Sequence, residues 1–312
     1  MSPTESSTRR RFPRLSSGAF EHPADRQALE ALRRIPGLDK LIRKMMELGW
    51  EKAMRVQLLG SAVHITPKQC PRVYKLFKEA CEILDVHEPD LFLASSPIVN
   101  AYTFGTERPF IVIQSGLVDL LDDQELMAVL GHELGHVKAG HVLYRSLAII
   151  LIKLIDTFVP IRGLANVALQ IALFDWYRKS EMTADRAELL VAQDVNVCLN
   201  VHMKLSAGSR TVFEQMSCHE FLKQADSYEE MDYSTLNKVY KLMQELFRSH
   251  PIPVYRAKEI KAWSETKAFK EIMAGRYPTT DAEPTLRACP HCDSKIAPSF
   301  FFCPDCGKNV RI

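Results

Sequence analysis

A chain of 312 residues is long enough for one large domain and a small appendage, and its composition is that of an ordinary globular protein. Hydrophobic residues make up 46% and charged residues 25% of the sequence, while the formal net charge is only +2. This balance gives no broad electrostatic attraction to nucleic acid or to membrane surfaces. Glycine is sparse, at 13 residues, which favours helices over a turn-rich β architecture.

The first 20 residues are rich in Ser and Arg, and Glu5 is their only acid. This composition predicts a disordered basic tail, and an organelle transit peptide is the alternative. No secretory signal is recognisable, and Cys70 and Cys81 would lie roughly 16 Å apart on one helix, too far for a disulfide. We therefore expect a reducing compartment and a cytoplasmic protein.

The N-terminal third of the domain is expected to be helical. Two helices are predicted over residues 24–50, separated by a turn at Pro36 and Gly37. Another is predicted to begin at Thr66 and Pro67. Its buried stripe is expected to contain Val73, Leu76, Phe77, Ala80, Ile83 and Leu84.

Two short strands follow, at residues 91–94 and 109–113, and the segment 100–105 lies between them. Asp122 or Asp123 is then expected to cap a helix. Strands followed by a helix suit a small sheet packed on helices. The predicted fold class is therefore α+β, a mostly helical domain with a small sheet, followed by a small C-terminal module.

The helix after the strands carries the pattern His-Glu-x-x-His, as His132, Glu133 and His136. Residues four apart leave a helix from the same face, so both imidazoles can bind one zinc ion, and Glu133 is placed beside them to activate a water on that metal. Gly131 and Gly135 each cost about 1 kcal/mol relative to Ala within a helix. Close approach of another segment, or room for metal and substrate, would explain them.

A third ligand is expected downstream, because a catalytic zinc site uses three protein ligands and one open position. Glu181 and Asp185 lie four apart on one helical face. Glu181 would reach the metal, while Asp185 would accept a hydrogen bond from the outer ring nitrogen of a liganding histidine. The alternative is an exposed helix on which these carboxylates pair with Arg178 and Arg186.

His141 does not fit the longer metzincin pattern, in which Gly and His come three and six residues after the second His. Ala139 and Val142 occupy those positions here. We therefore expect His141 to end a helix or to serve in packing.

Residues 142–174 are the most apolar part of the chain. Lys153, Asp156, Pro160 and Arg162 interrupt every stretch of about twenty residues that could span a bilayer. Buried or surface-associated helices are therefore predicted. The alternative is a hairpin that dips into a membrane, and peripheral membrane contact through 142–174 is expected in that case.

With these motifs in place, the chain resembles the HtpX-like and CAAX-prenyl-protease zinc metalloendopeptidases, of the gluzincin type. The resemblance covers roughly residues 65–262. The integral-membrane members of that family carry clear spanning helices, and this chain departs from them there, so a soluble or peripheral member is implied. The matching elements are Gly131 to His136, Arg178-x-x-Glu181-x-x-x-Asp185, Asn100-Ala101 with Gly105, and Ser249-His250-Pro251 with Arg256.

The resemblance implies zinc-dependent hydrolysis of protein or peptide substrates. The implied zinc ligands are His132, His136 and Glu181. Glu133 would take a proton from water and pass it to the leaving amine. An extended peptide would pair with the family's edge strand at Asn100 and Ala101. His250 would help to stabilise the oxyanion, or would simply end a helix.

The C-terminal segment has two Cys-x-x-Cys pairs, Cys289 with Cys292 and Cys303 with Cys306, separated by ten residues. This spacing predicts a zinc ribbon, and four thiolates close a structural site. One catalytic and one structural zinc ion are therefore expected. The ribbon's partner is unknown, and its modest charge gives no reason to expect nucleic acid.

The sequence thus predicts a zinc metalloendopeptidase with an added ribbon. The alternative is a catalytically weak ribbon-bearing adaptor or scaffold that acts by protein binding, although a scaffold would have no reason to keep Glu133. The expected divisions are a disordered tail over 1–20, a metallopeptidase domain over 21–262, a linker over 263–286 and a four-cysteine zinc ribbon over 287–312.

Overall fold

Helices make up most of the structure, and one short sheet packs among them. The computed structural model describes residues 9–106, 108–156, 167–230, 252–280, 287–293, 295–296, 308 and 310. The helices are α1 Pro23–Arg33, α2 Leu38–Glu47, α3 Trp50–Ser61, α4 Pro71–Leu84, α5 Ser115–Leu120, α6 Asp123–Lys138, α7 Val142–Asp156, α8 Val167–Ala192, α9 Val195–Ala207, α10 Cys218–Glu230, α11 Pro253–Glu265 and α12 Lys267–Met273. The strands are β1 Ala62–His64, β2 Asp90–Ala94, β3 Ala101–Phe104, β4 Phe110–Gln114, β5 Arg287–Ala288 and β6 Lys295–Ile296.

The main sheet has four strands in the order β1-β2-β4-β3. Strands β2 and β4 are parallel, and the outer strands β1 and β3 pair with them in the antiparallel sense. The predicted α+β class is confirmed, and β3 lies at an edge of the sheet, with Ala101 opposite Ile113 and Phe104 opposite Phe110. The sheet places β3 next to α6 and α7.

The predicted helical segments of the N-terminal third are present, with one boundary error. The break at Pro36 and Gly37 is confirmed, and Gly37 has a φ of +95°, which favours glycine. The helix predicted to begin at Thr66 begins at Pro71 instead. The Thr66 hydroxyl accepts the backbone N–H of Gln69 in a tight turn, so it caps that turn and not a helix.

Helix α6 is the centre of the larger core, and its residues 125–136 are all buried. Asp122 is the N-cap, and Glu125 completes a capping box with it. The Glu125 carboxylate also accepts a hydrogen bond from Lys204 of α9 at 2.7 Å, in a buried ion pair. The first turn of α6 is thereby attached to α9.

The two glycines of α6 allow α8 to approach it closely. A Cβ added at Gly131 would lie 2.6 Å from Cβ of Val191, and one added at Gly135 would lie 2.6 Å from Cβ of Ala187. Both distances are too short for real carbon atoms, so a side chain at either position would push the helices apart. Of the two explanations offered by the sequence, the structure supports close approach of another segment.

The predicted disordered tail is wrong from residue 9 onwards. Phe12, Leu15 and Phe20 are fully buried in the larger core. The Phe12 N–H donates to the carbonyl of Ile83 at 2.9 Å, and Leu15 forms a β-bridge with Thr279. The Ser- and Arg-rich composition predicted disorder, but each of these three apolar residues can be buried on folding. Residues 1–8 lie outside the described part.

The predicted linker over 263–286 is also folded in the part that is described, residues 263–280. Trp263 ends the buried face of α11, its ring meets that of Phe269 at 5.0 Å, and Ile272 of α12 is buried. Residues 263–280 are therefore folded and are not an extended linker.

The apolar region 142–174 is described for α7 and for the first part of α8, and residues 157–166 lie outside the description. The side chains of Tyr144, Leu147, Leu151, Leu169 and Leu173 are buried in a second core cluster, together with residues of α1, α2 and α3. Within the described residues, no helix combines the length and the apolar character needed to cross a bilayer.

The start of the predicted ribbon is a two-stranded hairpin in which β5 pairs with β6. Cys289 is buried and Cys292 is exposed in the turn between the strands. Cys303 and Cys306 lie outside the described residues, so the four-sulfur site stays a prediction.

The α6–α8 contact generates a stability prediction. Gly135→Ala should lower the free energy of unfolding by about 1–3 kcal/mol, because overpacking outweighs the helix propensity that Ala adds. Gly60→Ala is the matched control: Gly60 lies in α3 with open space around its Cβ position, so the substitution should stabilise by up to about 1 kcal/mol. Urea unfolding measures both, and a Gly135→Ala protein as stable as the parent would contradict the packing argument.

Burial of the N-terminal segment leads to a second stability prediction. Phe12→Ala should lower the free energy of unfolding by about 3–5 kcal/mol, the usual cost of emptying a buried aromatic site. Arg11→Ala, one residue earlier, removes an exposed side chain paired with Glu82 and should change it by less than about 1 kcal/mol. Equal effects of the two substitutions, again by urea unfolding, would mean that residues 9–20 do not contribute to the core.

Candidate metal centre

Helices α6 and α8 bring three donor side chains together in the interior. The Nε2 atom of His132 lies 3.4 Å from Oε2 of Glu181, and the Nε2 atom of His136 lies 3.3 Å from Oε1 of the same carboxylate. One donor atom from each residue lies within 4.8 Å of the other two. All three side chains are buried.

The donor set fits a zinc ion. Two ring nitrogens and one carboxylate oxygen are an established ligand set for catalytic zinc. The Nε2 atom of His136 is buried and makes no hydrogen bond with the described residues, a costly state for a polar atom unless a ligand occupies it. A second group, His132 with Asp185 and Glu188, also converges, but it contains one histidine and so does not supply the two ring nitrogens of that ligand set.

Asp185 contacts the first of the two histidines. Its Oδ1 atom lies 3.0 Å from Nδ1 of His132, and Arg256 of α11 contacts both carboxylate oxygens, at 2.8 and 2.5 Å. Burial opposes ionisation, but Arg256 and His132 outweigh it and hold the pKa of Asp185 below its ordinary value. Burial likewise lowers the pKa of His132, yet its hydrogen bonds with Asp185 and Glu181 raise it to about 9.

Two arginines surround the Glu181 carboxylate. Arg145 of α7 donates to Oε1, and its guanidinium also donates to the Tyr177 hydroxyl at 3.1 Å. Arg256 lies 3.2 Å from Oε2. The alternative of an exposed carboxylate helix is therefore wrong, because Glu181 is fully buried.

The arginines of that alternative point elsewhere. Arg178 contacts Asp175, and Arg186 donates to the carbonyl oxygens of Phe20 and Glu21 in the N-terminal segment.

Glu133 lies beside the donor group and is held by the edge strand. The Thr103 hydroxyl of β3 donates to Oε2 of Glu133 at 2.6 Å. Glu133 is fully buried, yet it lines a cavity of about 410 Å³. Asn100 and Ala101, the predicted substrate-binding residues, line the same cavity.

The far wall of the cavity carries a buried acid. Burial, followed by the nearby Asp185 charge, raises the pKa of Glu188 to about 8. His202 lies 3.7 Å from it, and burial lowers the pKa of His202 to about 3. Arg256 also lines the cavity, and the apolar part of its wall is formed by Ile98, Val99, Leu117, Val129, Val201 and Leu205.

His141 was expected to end a helix or to pack, and it lies in the turn between α6 and α7, where it is buried. The polar contacts of His141 were not predicted. Its Nδ1 atom lies 3.0 Å from Nδ1 of His136, and its Nε2 atom lies 3.0 Å from Oδ2 of Asp25 in α1.

The sequence therefore predicted the donors and the contact of Asp185 with a histidine, but not the other partners of the site. Arg145, Thr103 and Asp25 carry no local signal, because each meets the site only through the tertiary fold. Arg256 was noted as part of a late motif, without a role. His250 lies outside the described residues, so its assignment stays a prediction.

Comparison with known proteins agrees with the geometry. Residues 67–264 match the model of peptidase family M48. The chain is 38% identical over 264 residues to "Plastoglobule-localized metallopeptidase 48, chloroplastic" of Arabidopsis thaliana, which covers 84% of this chain and 77% of that protein. No solved structure matches.

Shorter matches link the chain to proteins named "Protease HtpX homolog". One from Methanothermobacter thermautotrophicus is 28% identical over 94 residues, 30% of this chain and 36% of that protein. Another, from a Sulfurihydrogenibium species, is 30% identical over 89 residues, 28% of this chain and 30% of the relative. The resemblance stated from the motifs is thus confirmed: the chain belongs to peptidase family M48 and is a zinc metalloprotease.

Proposed function

We propose that His132, His136 and Glu181 hold the catalytic zinc and that the enzyme cleaves internal peptide bonds of protein substrates. The convergence of these three buried donors within 4.8 Å supports the assignment. When bound, zinc lowers the pKa of a water molecule towards neutrality and polarises the carbonyl of the scissile bond. The ligand set leaves a coordination position for that chemistry.

Glu133 is the proposed general base. Its carboxylate takes a proton from the attacking water and later passes it to the leaving amine. The Thr103 hydroxyl donates to Oε2 at 2.6 Å, so the carboxyl group is held in one orientation. Because Glu133 lines the cavity, its carboxylate can meet a substrate that enters there.

Charged side chains around the proposed ligands favour the protonation states that metal binding requires. Arg145 and Arg256 contact the two oxygens of Glu181, and this stabilises the ionised form that a metal ligand requires. Asp185 accepts a hydrogen bond from Nδ1 of His132, so that Nε2 of the same ring faces Glu181. Proton positions are assigned from this network.

The substrate is proposed to add as an extended strand along β3. This strand lies at the sheet edge, and Asn100 and Ala101 at its start line the cavity beside the metal ligands. The apolar walls of that cavity suit an apolar side chain next to the scissile bond.

His250 is proposed to stabilise the oxyanion, and ending a helix is its alternative role. The support is indirect: it lies six residues before Arg256, whose side chain contacts the site. The adaptor alternative has no observation of its own, whereas the proposed metal ligands and the proposed general base lie together among the described residues.

A second, structural zinc is proposed in the C-terminal module, bound by Cys289, Cys292, Cys303 and Cys306. The hairpin of β5 and β6 supports it, since the Asp293 N–H donates to the carbonyl of Cys289 at 2.9 Å and closes a turn around the first Cys pair. The ribbon's partner stays unassigned.

A cytoplasmic location with peripheral membrane contact through 142–174 is retained as a proposal. The Arabidopsis relative is, by its name, chloroplastic and plastoglobule-localised. The apolar composition of 142–174 supports the membrane contact, and the N-terminal basic residues leave a transit peptide as the alternative route.

Glu133→Gln should keep zinc and fold while losing peptide hydrolysis by about 100- to 10,000-fold, because an amide cannot accept the proton. Glu181→Gln should instead weaken zinc binding itself, since a charged ligand is lost. Cleavage of unfolded casein and zinc content by elemental analysis separate the two failures.

Glu82→Gln, a substitution at the surface of α4, is the control and should behave as the parent does. Parent-rate cleavage by Glu133→Gln would overturn the general-base assignment. Absence of chelator-sensitive cleavage in the parent would favour the adaptor alternative.

The double substitution Cys289→Ser with Cys292→Ser should remove one of two zinc ions per chain. Two thiolates cannot close a tetrahedral site, whereas the catalytic ligands lie on other elements and should keep their metal. Elemental analysis with a cleavage assay tests this, and one zinc per intact chain, or loss of both in the variant, would contradict the two-site division.

A further inference from the structure

A line of buried polar side chains runs from His136 to the N-terminal helix α1. We propose that His141 and Asp25 are positioning residues, which hold the His136 ring in the tautomer and orientation that metal binding needs. The inference rests on the zinc site proposed above. It would make α1, which precedes the residues matched by the family model, a part of the metal centre.

The contacts form an unbroken series. Nδ1 of His136 lies 3.0 Å from Nδ1 of His141, and Nε2 of His141 lies 3.0 Å from Oδ2 of Asp25. The three side chains are at most 1% exposed. Each distance is that of a hydrogen bond, so water is not required to bridge any step.

The series permits one consistent direction for the protons. If Nε2 of His136 faces the metal, its Nδ1 carries the hydrogen and donates to Nδ1 of His141. That nitrogen must then be unprotonated, so the hydrogen of the neutral His141 ring is on Nε2 and is donated to the Asp25 carboxylate. Asp25 is thus the terminal acceptor, and its charge favours this arrangement over the opposite one.

Asp25 is itself fixed by two further donors. The indole N–H of Trp176 donates to Oδ1 at 2.9 Å, and the Thr183 hydroxyl donates to Oδ2 at 2.5 Å. Both donors belong to α8, the helix that carries Glu181. The carboxylate therefore joins α1 to α8 at a point close to the third ligand.

A role in packing alone does not account for this arrangement. Burying a carboxylate and two imidazoles is costly, and apolar side chains of similar volume would fill the same space without that cost. The polar series is explained if it orients a ligand, because outer partners of liganding histidines set ring geometry and basicity.

The test compares zinc affinity, measured by chelator competition on the full chain, across matched variants. His141→Leu removes the acceptor for His136 and should weaken zinc binding about 10- to 100-fold. His141→Asn keeps an amide oxygen near the Nδ1 position and should recover much of that loss. Asp25→Asn should fall between them, since it keeps the shape and loses the charge.

Lys204→Met is the control for general destabilisation. It breaks the buried ion pair with Glu125 at the opposite end of α6, so it should reduce stability and leave zinc affinity unchanged. The visible spectrum of the cobalt-substituted protein gives an independent readout, and it should shift in His141→Leu but not in Lys204→Met. Neither readout depends on peptide cleavage.

Failure of the proposed metal site and failure of the positioning role would give different results. If His136→Ala keeps the catalytic zinc at parental affinity, the proposed metal site itself is wrong. If His136→Ala loses zinc while His141→Leu and Asp25→Asn bind it as the parent does, the site stands and the positioning role is overturned. Should His141→Leu fail to fold, affinity and spectrum in Asp25→Asn decide, and parental values there overturn the proposal.

Discussion

The close contact between α6 and α8 is the constraint on which the metal centre depends. Two histidines on one helix can reach a third donor on another only if the helix backbones approach closely. Gly131 and Gly135 permit this approach, since Val191 and Ala187 occupy the space that their side chains would fill. The helix propensity lost at each glycine is the cost of bringing Glu181 within reach.

Around that contact, arginine side chains offset the charges of the buried carboxylates. Glu181 and Asp185 are buried carboxylates, and Arg145 and Arg256 offset them from α7 and α11. A buried charge without a partner would either neutralise itself or destabilise the fold. Side chains of α6, α7, α8 and α11 meet at Glu181 and Asp185. The site therefore forms only when these four helices pack together.

The sequence predicted what local spacing encodes. The four-residue separations of His132 from His136 and of Glu181 from Asp185 each define a helix face, and the Asp122 cap and the strands follow from equally local rules. The contacts of Thr103 and Arg145 could not be predicted, because the chain folds them against residues 30 and 36 positions away.

The incorrect predictions for residues 1–20 and 263–286 also result from contacts between residues that are distant in the sequence. A basic, Ser-rich composition predicted disorder over residues 1–20, but burial depends on what surface is available to receive an apolar residue. Phe12 and Leu15 find one at α4 and at the segment after α12. The segment 263–286 was predicted to be a linker because its contacts with residues 15 and 16, which are distant in the sequence, could not be predicted.

This meeting of the two ends has a consequence for biosynthesis. The Ser16 N–H donates to the carbonyl of Pro278 at 3.0 Å, and the Thr280 N–H donates to the carbonyl of Arg14 at 2.8 Å. During synthesis, Arg14 is made 266 residues before Thr280. The contact between the two ends of the domain therefore cannot form until Thr280 has been added to the chain. Closure therefore comes last, and the chain enters and leaves the finished domain at neighbouring points.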